Sequence, residues 1–263
     1  MSRLQSLPMA AMVVVIFALT YLVAGLIYKV IMRLAVGERA RAFKGISPGM
    51  LPPLGIIFGL LVAFIAAQVW GDLDRANVAV NREASALRAV VLLATSFPGE
   101  TEARLDDLVR RHIQEAATQE WPMMARQRAT LTIIPQALAD ALRLTLSLTP
   151  SSPGQMAAQR EIATALASAL DARRQRIIVS HSSVNWVKWT CLLLQAICTL
   201  IAIGMVHCDN RTTAAIAMGL FATGVALSVV LIAAHNRPFS GRLSIGPDLL
   251  LQVAPEQHPS SGP

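Results

Sequence analysis

Four long apolar stretches, residues 9–31, 52–70, 186–206 and 212–234, limit what this chain can become more than any other feature. The first opens with MAAMVVVIFALTYLVAGLI and the second reads PPLGIIFGLLVAFIAAQVW, both without a charged side chain. At 1.5 Å per residue such a stretch crosses the roughly 30 Å hydrocarbon core of a bilayer. Backbone N–H and C=O groups find no water there, so each stretch must close its own hydrogen bonds as a helix. The first is also longer than the apolar part of a cleaved signal peptide, about 7–15 residues, which favours an uncleaved span. The edges agree. Prolines 52 and 53 stand where a helix start lacks N–H partners anyway, Trp70 closes the second stretch, and Trp186, Lys188 and Trp189 form an interfacial belt at the third. The HCDNR linker between the last two stretches allows only a tight helical hairpin. The expected fold is all-α: a polytopic membrane protein with four transmembrane helices and a helical extramembrane domain. Its expected parts are an N-terminal hairpin (1–71), the helical domain (72–183), a C-terminal hairpin (184–236), and a C-terminal segment with a disordered tail (237–263).

Charge places the chain further. Charged residues are 15% of the chain, well under the roughly 25% usual for soluble domains. The formal charge is +7, but residues 72–183 hold thirteen Arg against twelve acids, so the excess lies beside the apolar stretches. Lys29, Arg33, Arg39, Arg41 and Lys44 follow the first, with Lys188, Arg237 and Arg242 near the others. Basic residues at span ends attract anionic headgroups and set topology. A nucleic-acid surface would need a concentrated basic face with stacking aromatics, which is missing, so no nucleic-acid partner is expected. The flanks of the first pair of spans place the 33–50 loop inside. Those of the second pair place the middle domain inside. Counting all Lys and Arg near span ends favours a cytoplasmic middle domain in an inner membrane.

The middle segment reads as helices. Leu73, Ala76, Val80, Ala84, Leu87, Val91 and Ala94 keep a three-and-four spacing, which predicts that the second span continues as one helix to Phe97-Pro98-Gly99. A second helix starts near Thr101, acidic early and basic late, and is expected to stop at Trp121-Pro122. A third covers roughly 131–148, begun or interrupted at Pro135. Ser152, with Pro153 next and Gln155 three residues on, predicts the cap of a fourth, running to the basic knot Arg173, Arg174 and Arg176.

Few residues invite chemistry. Gly45-Ile46-Ser47-Pro48-Gly49 matches the nucleophile-elbow spelling but lacks the strand, helix, His and Asp that an elbow needs, so it reads as a turn. His112 and Glu115 have a metal-site spacing without matching motifs on other helices and read as helix surface or interface. Cys191, Cys198 and Cys208 form no metal or disulfide pattern. No cofactor or metal is expected, and the chain does not read as an enzyme. No buried acidic or histidine relay marks a span, which argues against a proton-coupled transporter. Gly55, Gly59, Ala63 and Ala66/Ala67 make a small-residue stripe suited to close helix packing, and Gln68 and Gln195 suit interhelical hydrogen bonds. Phe58, Val62, Ile65 and Val69 form a bulky stripe at i, i+4, i+7 and i+11, which fits either lipid contact or a hydrophobic constriction in an oligomeric pore. Glu83, on the continuation of that helix, suits a charged ring, a neighbour's ion pair or solvent. Arg173, Arg174 and Arg176 could draw anions to a vestibule or hold lipid headgroups.

Three elements together resemble the bestrophin-like domain family: the second span running on into Arg82-Glu83-Ala84, Glu120-Trp121-Pro122, and Pro238-Phe239-Ser240-Gly241 after the last span, with Pro247 beyond. The resemblance covers about 9–248. That family is distantly similar to the bestrophins, pentameric anion channels whose second helix lines the pore. It therefore implies self-association (a pentamer), small anions as permeant partners, and Phe58, Val62 and Ile65 near a neck. The expected function is an oligomeric anion channel; the rival is a non-conducting scaffold whose helical domain binds a partner protein. The pattern also departs from the bestrophins. Their acidic calcium clasp is replaced by Arg242-Leu243-Ser244, and Asn236 stands where relatives are often acidic, so calcium regulation is not implied.

Overall fold

The computed structural model describes residues 9–45, 48–241 and 244–256 and is helical, with no strand among the described residues. In chain order the helices are α1 (Met9–Leu34), α2 (Glu38–Lys44), α3 (Leu51–Ala94), α4 (Glu100–Glu115), α5 (Trp121–Ala125), α6 (Gln136–Ser147), α7 (Pro153–Ser180), α8 (Trp186–Val206), α9 (Arg211–His235) and α10 (Asp248–Gln252). Four of them, α1, α3, α8 and α9, are long and apolar enough to cross a membrane. Two compact units form: Met1–Gly71 with Ser183–Asn236, and Asp72–Ser182 with Arg237–Pro263.

In the first unit α1, α8, α9 and the opening half of α3 make a bundle. Met12, Ile16, Phe58, Ile65, Val69, Leu192, Val225 and Val229 fill its interior. Val14, Leu22, Phe64 and Leu220 point outward, as lipid-facing side chains do. Close approach depends on Gly204 of α8: a Cβ there would stand 2.6 Å from Cδ1 of Ile31 and 3.2 Å from Sδ of Met218. Polar ties are few. Gln195 donates to the Leu54 carbonyl at 3.3 Å, and Lys188 donates to Gln68. The HCDNR hairpin is capped by Asn210, whose side chain accepts from the Thr212 and Thr213 N–H groups. Asn236, buried after α9, accepts from the Val184 N–H at 2.7 Å and fixes the entry to α8.

The second unit packs the later half of α3 with α4–α7 and the C-terminal segment around Val80, Leu87, Leu105, Val109, Ile113, Leu138, Ile162 and Leu166. The expected continuation of the second span is one helix of 44 residues, about 66 Å long at the standard rise. It stops where Pro98 cannot continue it and Gly99 takes φ 93°. Ser152 caps α7 as expected by accepting from the Gln155 N–H at 3.1 Å. The returning bonds of Gln155 go to Ser151 rather than Ser152.

Three boundaries differ from the sequence reading. Trp121-Pro122 does not end the second helix of this unit. A π turn, Ala116–Glu120, joins α4 to α5 and shifts the hydrogen-bond register ahead of Pro122, which sits in the first turn where its missing N–H costs little. The chain turns only at Gln127, with φ 55°. The basic knot does not end α7, which runs on to Ser180 because Arg173 and Arg176 are buried rather than solvated. The C-terminal segment is ordered further than expected: Leu250 is fully buried, and the Arg110 guanidinium donates to the carbonyls of Pro255 (3.2 Å) and Glu256 (2.8 Å). The tail from 257 onward, Ile46 and Ser47 of the elbow-like turn, and Arg242 and Leu243 lie outside the described residues.

Candidate functional site

Two features stand out, a buried charge cluster and an open helix face. The cluster is built on Glu83 of α3, which has no exposed surface. Arg176 of α7 grips it in two places, Nε to Oε2 at 2.7 Å and Nη2 to Oε1 at 3.0 Å. The same Nη2 reaches Oε2 of Glu120 at 2.9 Å. Arg173, one turn back on α7, donates from Nε to Oε1 of Glu120 at 2.7 Å and from Nη2 to the Ile133 carbonyl at 3.2 Å. His112 of α4 completes the set, its Nε2 lying 2.9 Å from Oε1 of Glu83. Two carboxylates thus face two guanidiniums, whose formal charges balance. Burial alone would lower the pKa of Arg176, but the adjoining carboxylates of Glu83 and Glu120 outweigh it and raise the value, so the guanidinium stays charged. Its plane lies 4.4 Å from the Trp121 ring centroid, a cation–π contact strengthened by desolvation. Trp121 in turn donates Nε1–H to the Ile245 carbonyl at 2.9 Å and meets the Phe239 ring edge-on at 5.9 Å.

The family-like motifs scattered along the chain therefore meet at one place. Glu83, Glu120 and Trp121 contact Arg176, and Phe239 packs against Trp121, with Pro238 buried beside Phe239 and Gly241 at φ 98° turning the chain after it. Of these motif residues, Pro122 and Gly241 stand exposed. The partnership of Glu83 with Arg176 spans 93 positions of sequence and left no local signal.

This geometry corrects several expectations. Arg173 and Arg176 are buried in ion pairs within the protomer and cannot serve headgroups or a vestibule; only Arg174 is exposed. Glu83 offers no charged ring, since its carboxylate is occupied inside the domain. His112 is core rather than surface, and Glu115 faces elsewhere. Among the described residues no group of His, Cys, Asp or Glu could hold a metal.

The second feature is the outer arc of α3. The bulky stripe expected at a pore faces the other way: Val69, Ile65 and Phe58 are 2%, 5% and 8% exposed, Val62 is half-buried, and the Phe58 ring lies 5.3 Å from that of Phe221. Their bulk packs the protomer's own bundle, so they are not on the surface that a lone protomer presents. On the opposite arc Ile56, Leu60, Ala63, Ala67 and Trp70 are exposed, and Phe64 at its flank is 71% exposed. Beyond the span the same arc carries Asp74, Val78, Asn81, Ser85, Arg88 and Leu92, all exposed. The glycines expected in close packing, Gly55 and Gly59, lie in open space on or beside this arc, with nothing within 4 Å of an added Cβ. Arg82 and Arg88 make no ion pair or hydrogen bond through their side chains to another described residue.

Compared with protein families, residues 11–250 match the family described as Bestrophin-like domain. No curated protein matches the sequence. Among solved structures, a bacterial bestrophin homolog from Klebsiella pneumoniae, crystallised with a mutation, is similar in fold, with a TM-score of 0.66 at 11% identity. The match covers 92% of this chain and 97% of that one.

Proposed function

Because the chain belongs to the bestrophin-like domain family, we propose that it is a homo-oligomeric anion channel whose α3 helices line a central pore. The single observation that carries the reading is the uncovered arc of α3, which continues for the length of a helix whose opposite side carries the residues buried in both units. A helix this long presenting one unsupported face suits copies arranged about an axis. The resemblance to pentameric channels favours five. In this reading the lining is Ile56, Leu60, Ala63 and Ala67 in the span, in place of the buried Phe58, Val62, Ile65 and Val69. Apolar rings of that kind gate by dewetting. Farther along, Asn81, Ser85 and Arg88 supply donors and positive charge that favour anions. Glu83, bound to Arg176, acts by anchoring α3 so that its outer arc holds its orientation. The middle domain is taken as cytoplasmic and the membrane as the inner one.

Purified protein in planar bilayers tests this. Unitary currents should appear, fall sharply in Ala67→Trp, and lose anion preference in Arg88→Glu. Oligomers that remain intact while the bilayer stays silent would leave the scaffold reading. That reading draws on a groove of about 820 Å³ between α4 and α6, lined by Arg104, Asp107, Arg111, Asp140 and Arg143, where a partner could dock.

A further inference from the structure

One surface belongs neither to the pore arc nor to the charge cluster. Between α5 and α6 the loop 126–135 displays Leu131, Ile133 and Ile134 at 44%, 54% and 63% exposure. Large aliphatic side chains in a loop normally turn inward. Here the backbone holds them out: His181 donates Nε2–H to the Ala129 carbonyl at 2.7 Å, and Arg173 donates to the Ile133 carbonyl at 3.2 Å. Thr130 and Thr132 join their hydroxyls at 2.9 Å between these two ties. The display is therefore preorganised.

Its charge is one-sided. Arg126 and Arg128 in the loop and Arg174 on α7 are exposed and make no side-chain bond to another described residue. Of the acids nearby, Glu120 is held by Arg173 and Arg176, Asp171 accepts from Gln175, and Glu115 lines a small cavity together with Ile133 and Ile134. In sequence, four residues, 182–185, separate His181 from Trp186, where a helix long and apolar enough to cross a membrane begins.

We propose that the 126–135 loop is an anionic-lipid anchor. Leu131, Ile133 and Ile134 enter the bilayer interface, while Arg126, Arg128 and Arg174 hold lipid phosphates. Exposed aliphatic side chains together with exposed arginines that no described acid holds are the chemistry of interfacial binding.

The test uses the full chain with Cys191, Cys198 and Cys208 replaced and an environment-sensitive fluorophore at Ile134→Cys, in nanodiscs with or without phosphatidylglycerol. The expected result is a blue shift and protection from iodide quenching that require the anionic lipid. A probe at Ser151→Cys should stay quenchable in both. Each of Arg126→Gln, Arg128→Gln and Arg174→Gln should weaken the docking equilibrium about fivefold. Emission that ignores phosphatidylglycerol overturns the proposal, as does equal protection in lipid-free detergent oligomers, which would mark the loop as a subunit contact. If the cysteine-free protein does not fold, bound phosphatidylglycerol can be counted by mass spectrometry on the native-cysteine protein. The triple Arg→Gln variant should then retain less, and unchanged retention overturns the proposal.

Discussion

The two halves of α3 are buried by different physics although they are one helix. In the opening half Phe58, Ile65 and Val69 pack against α8 and α9, while Ile56, Leu60 and Phe64 face outward. Both arcs are apolar, because hydrocarbon does not ask for polarity on the outside. Removing a side chain from lipid gains nothing in transfer, so this half is held by close packing and a few hydrogen bonds. In the later half Val80, Leu87 and Val90 fill a core, and Asn81, Arg82, Ser85 and Arg88 turn outward. Here the hydrophobic effect operates at about 25 cal/mol per Å² of apolar surface buried. Only this half takes charged residues inside, Asp72 and Glu83, and Glu83 has partners on two other elements, His112 of α4 and Arg176 of α7. A truncation therefore has a different meaning in each half.

The largest expected effect is on the charge cluster. Arg176→Ala leaves the buried Glu83 carboxylate without a guanidinium, while Glu120 keeps only Arg173, and should destabilise the helical domain by about 3–5 kcal/mol, read as a lower thermal midpoint. Glu83→Leu with Arg176→Met should cost less than Arg176→Ala alone, because no buried charge is left facing Glu83's site. A larger loss for the double variant would show that packing around the pair matters more than its charge. Next comes Leu87→Ala, at about 2–5 kcal/mol by denaturant titration. Gly204→Val should follow at about 1–3 kcal/mol, since its branches meet Ile31 and Met218 where even a methyl is tight. Ile65→Ala should cost less than Leu87→Ala, because only packing contacts are lost and no transfer from water is reversed. Equal losses in these two, measured in the same detergent, would break the proposed difference between the halves. Smallest of all, Ala67→Leu on the open arc should change protomer stability by no more than about 0.5 kcal/mol. A large loss there would mean that the arc is covered in the assembled protein.

Much of this architecture was legible in the residues themselves. The four spans are a matter of length and composition, and the continuation of the second was readable because Ala76, Val80, Ala84 and Leu87 keep helical spacing beyond Trp70. The stop at Pro98-Gly99 and the cap at Ser152 are local chemistry and appear where the residues predict them. Trp121-Pro122 misled for a local reason too: a proline forbids one hydrogen bond, and a π turn can step around that loss without ending the helix.

What the sequence determined by itself was the set of segments that must be helical and which of them lipid can accept, because both follow from neighbours a few residues apart. Tertiary structure alone decided which arc of α3 faces inward, since within hydrocarbon both arcs look alike in composition. It also decided that Glu83, Glu120, His112, Arg173 and Arg176 spend their polarity on one another. Charges brought together from α3, α4, α7 and the π turn carry no trace of that meeting in their own stretches of chain. A buried ion pair is a property of the place where helices cross.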